Sequence, residues 1–250
     1  MIYKNNYSVF LVALAISGLI SITGCSDDND LIDDDFICGS DIIFTYRGEQ
    51  VAYGTMERGG LCWMDRNLGA DPLPFVPAED ATGNTDERLY GDLFQWGRLD
   101  DGHQDRQSNI TTGLSNGDVP GHGDFIIVNS EPSDWRASHN HNLWQGVNGK
   151  NNPCPPGWRL PDVIELGAER QSWTTNNDTG AYDSPLKWPL GGGRSYTDGM
   201  LGMVENFGFV WSSSVGPDVS SYLFYYDALA LTGSDYRAGG MSVRCVRNLE

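Results

Sequence analysis

Four cysteines, Cys38, Cys62, Cys154 and Cys245, constrain the fold of this chain more than any other feature. No two of them form a CxxC, which argues against a thiol redox centre or a zinc ribbon. An even number of cysteines in an exported chain points to disulfides. Four cysteines allow three pairings, and spacing does not choose among them. The 31 glycines and 8 tryptophans suggest many turns around an aromatic core. Long amphipathic helices are scarce, so the sequence predicts a loop-rich α+β domain with short strands.

Export is read from the fifth cysteine, Cys25. Lys4 supplies a sparse positive start, and Val9 to Ile22 form an apolar run of about 14 residues broken only by Ser17, Gly18 and Ser21. That is the layout of a cleavable secretory signal, and it is short of the roughly 20 residues that a membrane-spanning helix needs. The run Ile22-Thr23-Gly24-Cys25 resembles the bacterial lipoprotein box. The resemblance implies that residues 1–24 are removed and that Cys25 becomes the lipidated first residue, with acyl chains such as palmitate as its hold on the membrane. Residues 25–37 contain Asp27, Asp28, Asp30, Asp33, Asp34 and Asp35 and read as a self-repelling, extended tether. The acidic run after Cys25-Ser26 also resembles the signal that one branch of Gram-negative bacteria uses to send lipoproteins to the outer leaflet of the outer membrane. It implies a lipid-anchored protein on the cell surface.

The net charge is −18, and the leader takes away one lysine and no acid. Such a balance excludes nucleic acid as a partner, because phosphates need Lys and Arg. It also argues against a polybasic membrane contact. It favours cations, as bound metal or as a counterion cloud. The residues beyond the tether, 38–250, fit one domain with a real core.

Within that domain, Ile42–Tyr46 and Gln50–Tyr53 read as a hairpin around Arg47-Gly48-Glu49, and Leu61–Met64 as a strand after Gly59-Gly60. Glu87 to Trp96 is expected to be a short helix, and residues 100–152 a long irregular insertion pinned by Phe125–Val128, Trp135 and Trp144. The clearest helix start is Pro161-Asp162-Val163-Ile164-Glu165, where Asp162 can cap and Glu165 sits three later. Turns are expected after Gly180. Phe209–Ser213 and Tyr222–Tyr226 read as strands, the second apolar on both faces and therefore central. Met241–Val246 reads as a closing strand, with Met241, Val243 and Cys245 on the buried side and Ser242 and Arg244 on the other.

Several segments together resemble the Fibrobacter succinogenes major paralogous domain family. The signature is Cys154-Pro155-Pro156-Gly157-Trp158-Arg159-Leu160-Pro161, and Cys62–Leu68, Tyr90–Arg98, Asp101–Gln104, Asn142–Gly146, Trp211–Ser214 and Ser242–Val246 follow the family in order. The resemblance covers about residues 42–248. Its closing pattern is also similar to C-type-lectin-like domains. From that similarity Cys154 is expected to bond Cys245, leaving Cys38 with Cys62. Trp158 is then expected over the disulfide, and Arg159 in a structural ion pair.

No catalytic constellation stands out. There is no Gly-x-Ser-x-Gly elbow, and no pair of carboxyls is singled out among many. His139-Asn140-His141 could begin a zinc site, with His103 and His122 in polar loops, but no third ligand is apparent. Calcium is the candidate cofactor. Asp80, Asp86 and Asp92, with Asn84 and Glu87, offer hard oxygens, as do Asp100, Asp101 and Asp105, but EF-hand spacing is missing. The sugar-binding calcium motifs of lectins are missing too. Trp63, Trp96 and Trp211 are expected in the core. The expected function is a non-catalytic binding or adhesion module for glycans or other host or matrix polymers, with residues 100–152 as its surface. An envelope structural or assembly component is the alternative, and a polysaccharide-active enzyme a more distant one.

Overall fold

In the computed structural model, which describes residues 36–72, 85–131 and 133–249, alternating apolar and polar residues build the first hairpin. Strand β1 (Ile42–Tyr46) pairs antiparallel with β2 (Glu49–Tyr53). Phe44 and Tyr46 turn inward while Ile43 and Thr45 face solvent. Arg47 and Gly48 join the strands with φ of 53° and 81°. Two positive φ values are what a tight two-residue hairpin needs to follow the strand twist. Strand β3 (Thr55–Arg58) meets β4 (Leu61–Met64) through Gly59-Gly60 in the same way.

The helix expected over Glu87 to Trp96 does not form. One 3-10 turn covers Glu87–Leu89, and the chain then extends into β5 (Phe94–Gln95). Gly91 breaks it with a φ of 67°, in close approach to the Leu68 carbonyl. The turn lets Asp92 N donate to Leu68 O at 2.9 Å and Asn67 Nδ2 to Tyr90 O at 3.2 Å. Strands β6 (Ile110–Thr111) and β7 (Phe125–Ile126) form a short parallel pair.

Helix α1 (Val163–Gln171) starts at the capping box read from sequence: Glu165 N donates to Asp162 and Asp162 N to Glu165, both at 2.8 Å. A second helix, α2 (Asp178–Asp183), is capped by Asn177, where only turns were expected. Then come β8 (Gly193–Arg194), β9 (Leu201–Gly202), β10 (Gly208–Val215), β11 (Val219–Tyr225) and β12 (Ala230–Tyr236), the last of which the sequence reading missed. The expected closing strand is divided into β13 (Gly240–Met241) and β14 (Val246–Asn248).

Three sheets organise the domain. Their orders are β14-β4-β3, β5-β13-β8-β9 and β10-β11-β12, and β11 is central as expected. The chain is therefore α+β, with small antiparallel sheets, two α-helices among the described residues and two disulfides. Of the three possible pairings it has Cys38–Cys62 and Cys154–Cys245, with Cα atoms 5.7 and 5.8 Å apart. Val246 exchanges backbone hydrogen bonds with Arg159, which brings the end of the chain against the segment leading into α1.

Trp63, Trp96, Trp135, Trp144, Trp188 and Trp211 are all fully buried. Their indole N–H groups are used as well as their area. Trp96 donates to Ser212 O at 2.9 Å, Trp135 to Trp96 O at 2.7 Å and Trp211 to Phe94 O at 2.8 Å. Trp158 belongs to the same buried cluster as Cys154 and Cys245, and Phe36, inside the segment read as tether, meets Trp158 edge-on at 5.5 Å.

Buried arginines hold the loops. Arg98 donates to Gln95 Oε1, Asp124 O and His122 O at 2.8–3.0 Å, and Arg194 reaches Asp105 O and Ser108 O. Arg244 corrects the sequence reading. It is 1% exposed, not on an open face, and it binds no carboxylate. Its guanidinium donates to Asn67 Oδ1 (2.9 Å), Asp65 O and Leu186 O and lies 4.2 Å from the Trp188 ring. Burial holds it down to about 10, because desolvation disfavours the charged form. Residues 242–245 are all buried, so the alternation does not leave one side of the segment open.

Candidate functional site

Asp86, Asp101 and Asp105 are committed to other partners. Asp86 caps the 3-10 turn and pairs with Arg88, whose hydrogen bond holds its carboxyl below the usual range. Asp101 is 2.6 Å from His103 Nδ1 and 2.8 Å from Arg98 Nη2. Asp105 pairs with Arg47 at 2.6 Å. Asp80 and Asn84, like the leader and Cys25, lie outside the described residues. Among the described residues no three His, Cys, Asp or Glu side chains converge to hold a metal ion.

The histidines are likewise spoken for. His139 Nδ1 is 2.6 Å from the buried Asp134, and His141 Nδ1 is 2.9 Å from Arg237 Nη2. His103 is fully buried and accepts the Gln95 amide at 3.0 Å, so burial pushes it down to about 4. Arg159 takes the structural role expected of it, donating to both Glu165 oxygens at 2.7 Å.

Asp92 occupies a cleft. Beside β2 lies a cavity of about 580 Å³ lined by Tyr46, Arg47, Glu49, Tyr53, Arg66 and Asp71, among others. Arg66 sits 3.7 Å over the Tyr53 ring, fixed by Asp65 and the Ala70 carbonyl. A second cavity of about 400 Å³ touches Asp92, Asp105 and Arg106. The Asp92 carboxyl accepts the Tyr46 hydroxyl at 2.7 Å and faces Arg47 Nη1 at 3.4 Å. Burial nevertheless outweighs these contacts and pushes it up to about 6. A carboxyl raised in the fold stabilises the protein while protonated, and that contribution is lost as pH rises through about 6. The unfolding free energy of the natural chain minus that of Asp92→Asn should therefore fall by about 2 kcal/mol from pH 4 to pH 7. Urea titrations of both proteins at a series of pH values measure this, and a difference that does not change with pH would refute it.

A different surface carries the aromatic chemistry. Phe207, Phe209, Tyr222, Phe224 and Tyr226 are each half-buried on or beside the β10–β11 ladder. Each ring contacts the next, and the five close a circuit. Centroids are 5.7 Å apart for Phe207–Phe209, 6.0 Å for Phe209–Tyr222 and 5.7 Å for Tyr222–Phe224. Phe224–Tyr226 follows at 6.5 Å and Tyr226–Phe207 at 4.8 Å. The alternation of the strands explains the placement. Val210, Leu223 and Tyr225 face the core while Phe209, Tyr222 and Phe224 take the other side. Phe209 and Tyr222 also pack against the main core cluster, which anchors the circuit. Leu231, opposite Phe224 on β12, is 46% exposed, and Met203 in the turn before Phe207 is 58% exposed.

Residues 100–152 are pinned by Phe125–Val128, Trp135 and Trp144 as expected. They supply Phe125, Ile126, Trp135, Leu143 and Trp144 to the core, so trimming them would remove part of the fold. The sequence signal for the aromatic surface was the run Tyr222–Tyr226, apolar at every position. One face of that strand is buried at Leu223 and Tyr225, and the other is only half-buried at Tyr222 and Phe224. The chain matches no family model, no curated protein and no solved structure.

Proposed function

We propose that this chain is a lipid-anchored, cell-surface binding module of the Fibrobacter succinogenes major paralogous domain type. It is non-catalytic and engages an extracellular polymer, a host or matrix protein or a glycan, through the five-ring surface of the β10–β12 sheet. The observation that carries this reading is the circuit itself: five half-buried aromatic rings, beside the exposed Leu231 and Met203, on a scaffold tied by two disulfides. Exposed apolar patches of this kind mark interaction sites. What supports the lectin-like reading is the Cys154–Cys245 bond beside the segment leading into α1 and the return of β14 to pair with β4.

The test is an array of glycans and matrix proteins probed with the purified chain and with a Phe224→Ala/Tyr226→Ala double variant. The natural chain should bind a subset and the variant should lose it, while Cys25→Ser should release the protein from cells without changing the array. Identical profiles for the natural chain and the ring variant would reject the reading.

A further inference from the structure

The aromatic surface has a charge to match. Between Arg194 and Arg237 the chain contains no Lys, Arg or His, and it contains Asp198, Glu205, Asp218, Asp227 and Asp235. This stretch supplies all five rings. Two of the acids adjoin ring residues in the chain, and a third, Asp235, acts electrostatically on Tyr222. Glu205 lies in the turn two residues before Phe207, and Asp227 directly follows Tyr226. Asp235 is on β12, on the same side of the sheet as Gly233, which stands opposite Tyr222. A ring face is itself negative, and aromatic rings attract ammonium and guanidinium groups within about 6 Å of their centroids. The rings and the acids therefore select the same sign of ligand.

We propose, resting on the binding reading above, that the occupant is a lysine- or arginine-bearing segment of a partner protein. Its cationic side chains lie over the ring faces that the stacking of Phe207, Phe209, Phe224 and Tyr226 leaves uncovered, and against Glu205, Asp227 and Asp235. A second copy of this chain would bring the same acids face to face and be repelled, as would a polyanionic glycan. An anionic lipid surface is disfavoured for the same reason.

Fluorescence anisotropy with labelled nona-arginine and nona-glutamate, alongside a neutral oligosaccharide, cellohexaose, tests this on the purified full chain. Nona-arginine should bind and nona-glutamate should not. Any strongly acidic protein attracts a polycation, so the deciding variants keep the charge. Phe224→Leu/Tyr226→Leu retains apolar bulk, so the sheet still packs, and it removes two ring faces. Nona-arginine affinity should drop about tenfold. Asp227→Asn/Glu205→Gln should weaken binding more than Asp41→Asn/Glu57→Gln, which removes as much charge outside this stretch. Equal effects from the two acid pairs, with the leucine variant unchanged, would show general polyelectrolyte attraction and overturn the proposal. Ring-dependent binding on the array, with nona-arginine no better than nona-glutamate, would keep the binding module and sink the cationic ligand. Ring-dependent binding of cellohexaose alone would replace it with a neutral glycan.

Discussion

Replacing Cys154 and Cys245 together by alanine is expected to lower the unfolding free energy by about 4–5 kcal/mol on the chain-entropy account of a cross-link. The two residues are separated by 91 positions, and both helices and six of the strands lie inside the loop they close, from β8 through β13 and including α1 and α2. The bond also fixes the start of β14 against the segment that leads into α1, through the Arg159–Val246 bridge. The Cys38–Cys62 bond closes a much shorter loop, and its removal should cost less, about 3 kcal/mol. Urea unfolding of the two double variants under non-reducing conditions gives the comparison. A smaller loss for the long loop than for the short one would mean that strand pairing holds the termini together without sulfur.

Glu169→Ala should destabilise by about 3–5 kcal/mol. Glu169 is buried in α1, and one of its oxygens accepts three donors: Ser184 Oγ at 2.6 Å, Trp173 Nε1 at 3.1 Å and Trp188 Nε1 at 3.3 Å. Its other oxygen lies 3.5 Å from Arg58 Nε. Alanine would strand two indoles and a hydroxyl in an apolar cluster with Leu166, Leu186 and Leu190. Each stranded donor costs more than an ordinary hydrogen bond contributes, because its desolvation is no longer offset. Glu169→Gln keeps an acceptor in place and should cost about 1–2 kcal/mol. Denaturation midpoints at constant m-value report both. A loss below about 1.5 kcal/mol for the alanine variant would show that water enters and takes over the donors.

Local signals in the chain were sufficient for its local structures. The Gly59-Gly60 pair, the alternation in Ile42–Tyr46 and the Asp162/Glu165 box each act over a few residues, and each formed the expected element. The failures concern contacts between distant segments. Strand alternation across Met241–Val246 puts Arg244 on the side away from the core. In the fold its partners are Asn67 and two carbonyls more than fifty residues away. The order of residues 100–152 likewise comes from Arg98, Arg194 and the tryptophans rather than from helix or strand periodicity, so no period in the sequence could reveal it. Glu169 gave little warning: Trp173 lies only four residues on, but Ser184 and Trp188 are brought to it only when α2 folds back. The candidate site was half legible. The run Tyr222–Tyr226 identified a central strand, but nothing local distinguishes a ring buried under a neighbour from one left uncovered.

The Cys154–Cys245 bond also governs what a protease can accomplish. A single backbone cut anywhere between those two residues leaves both fragments covalently attached. A molecule nicked in the turn at 203–205 would keep its mass on a non-reducing gel and hold the severed ends in place long enough for the surrounding packing to retain them.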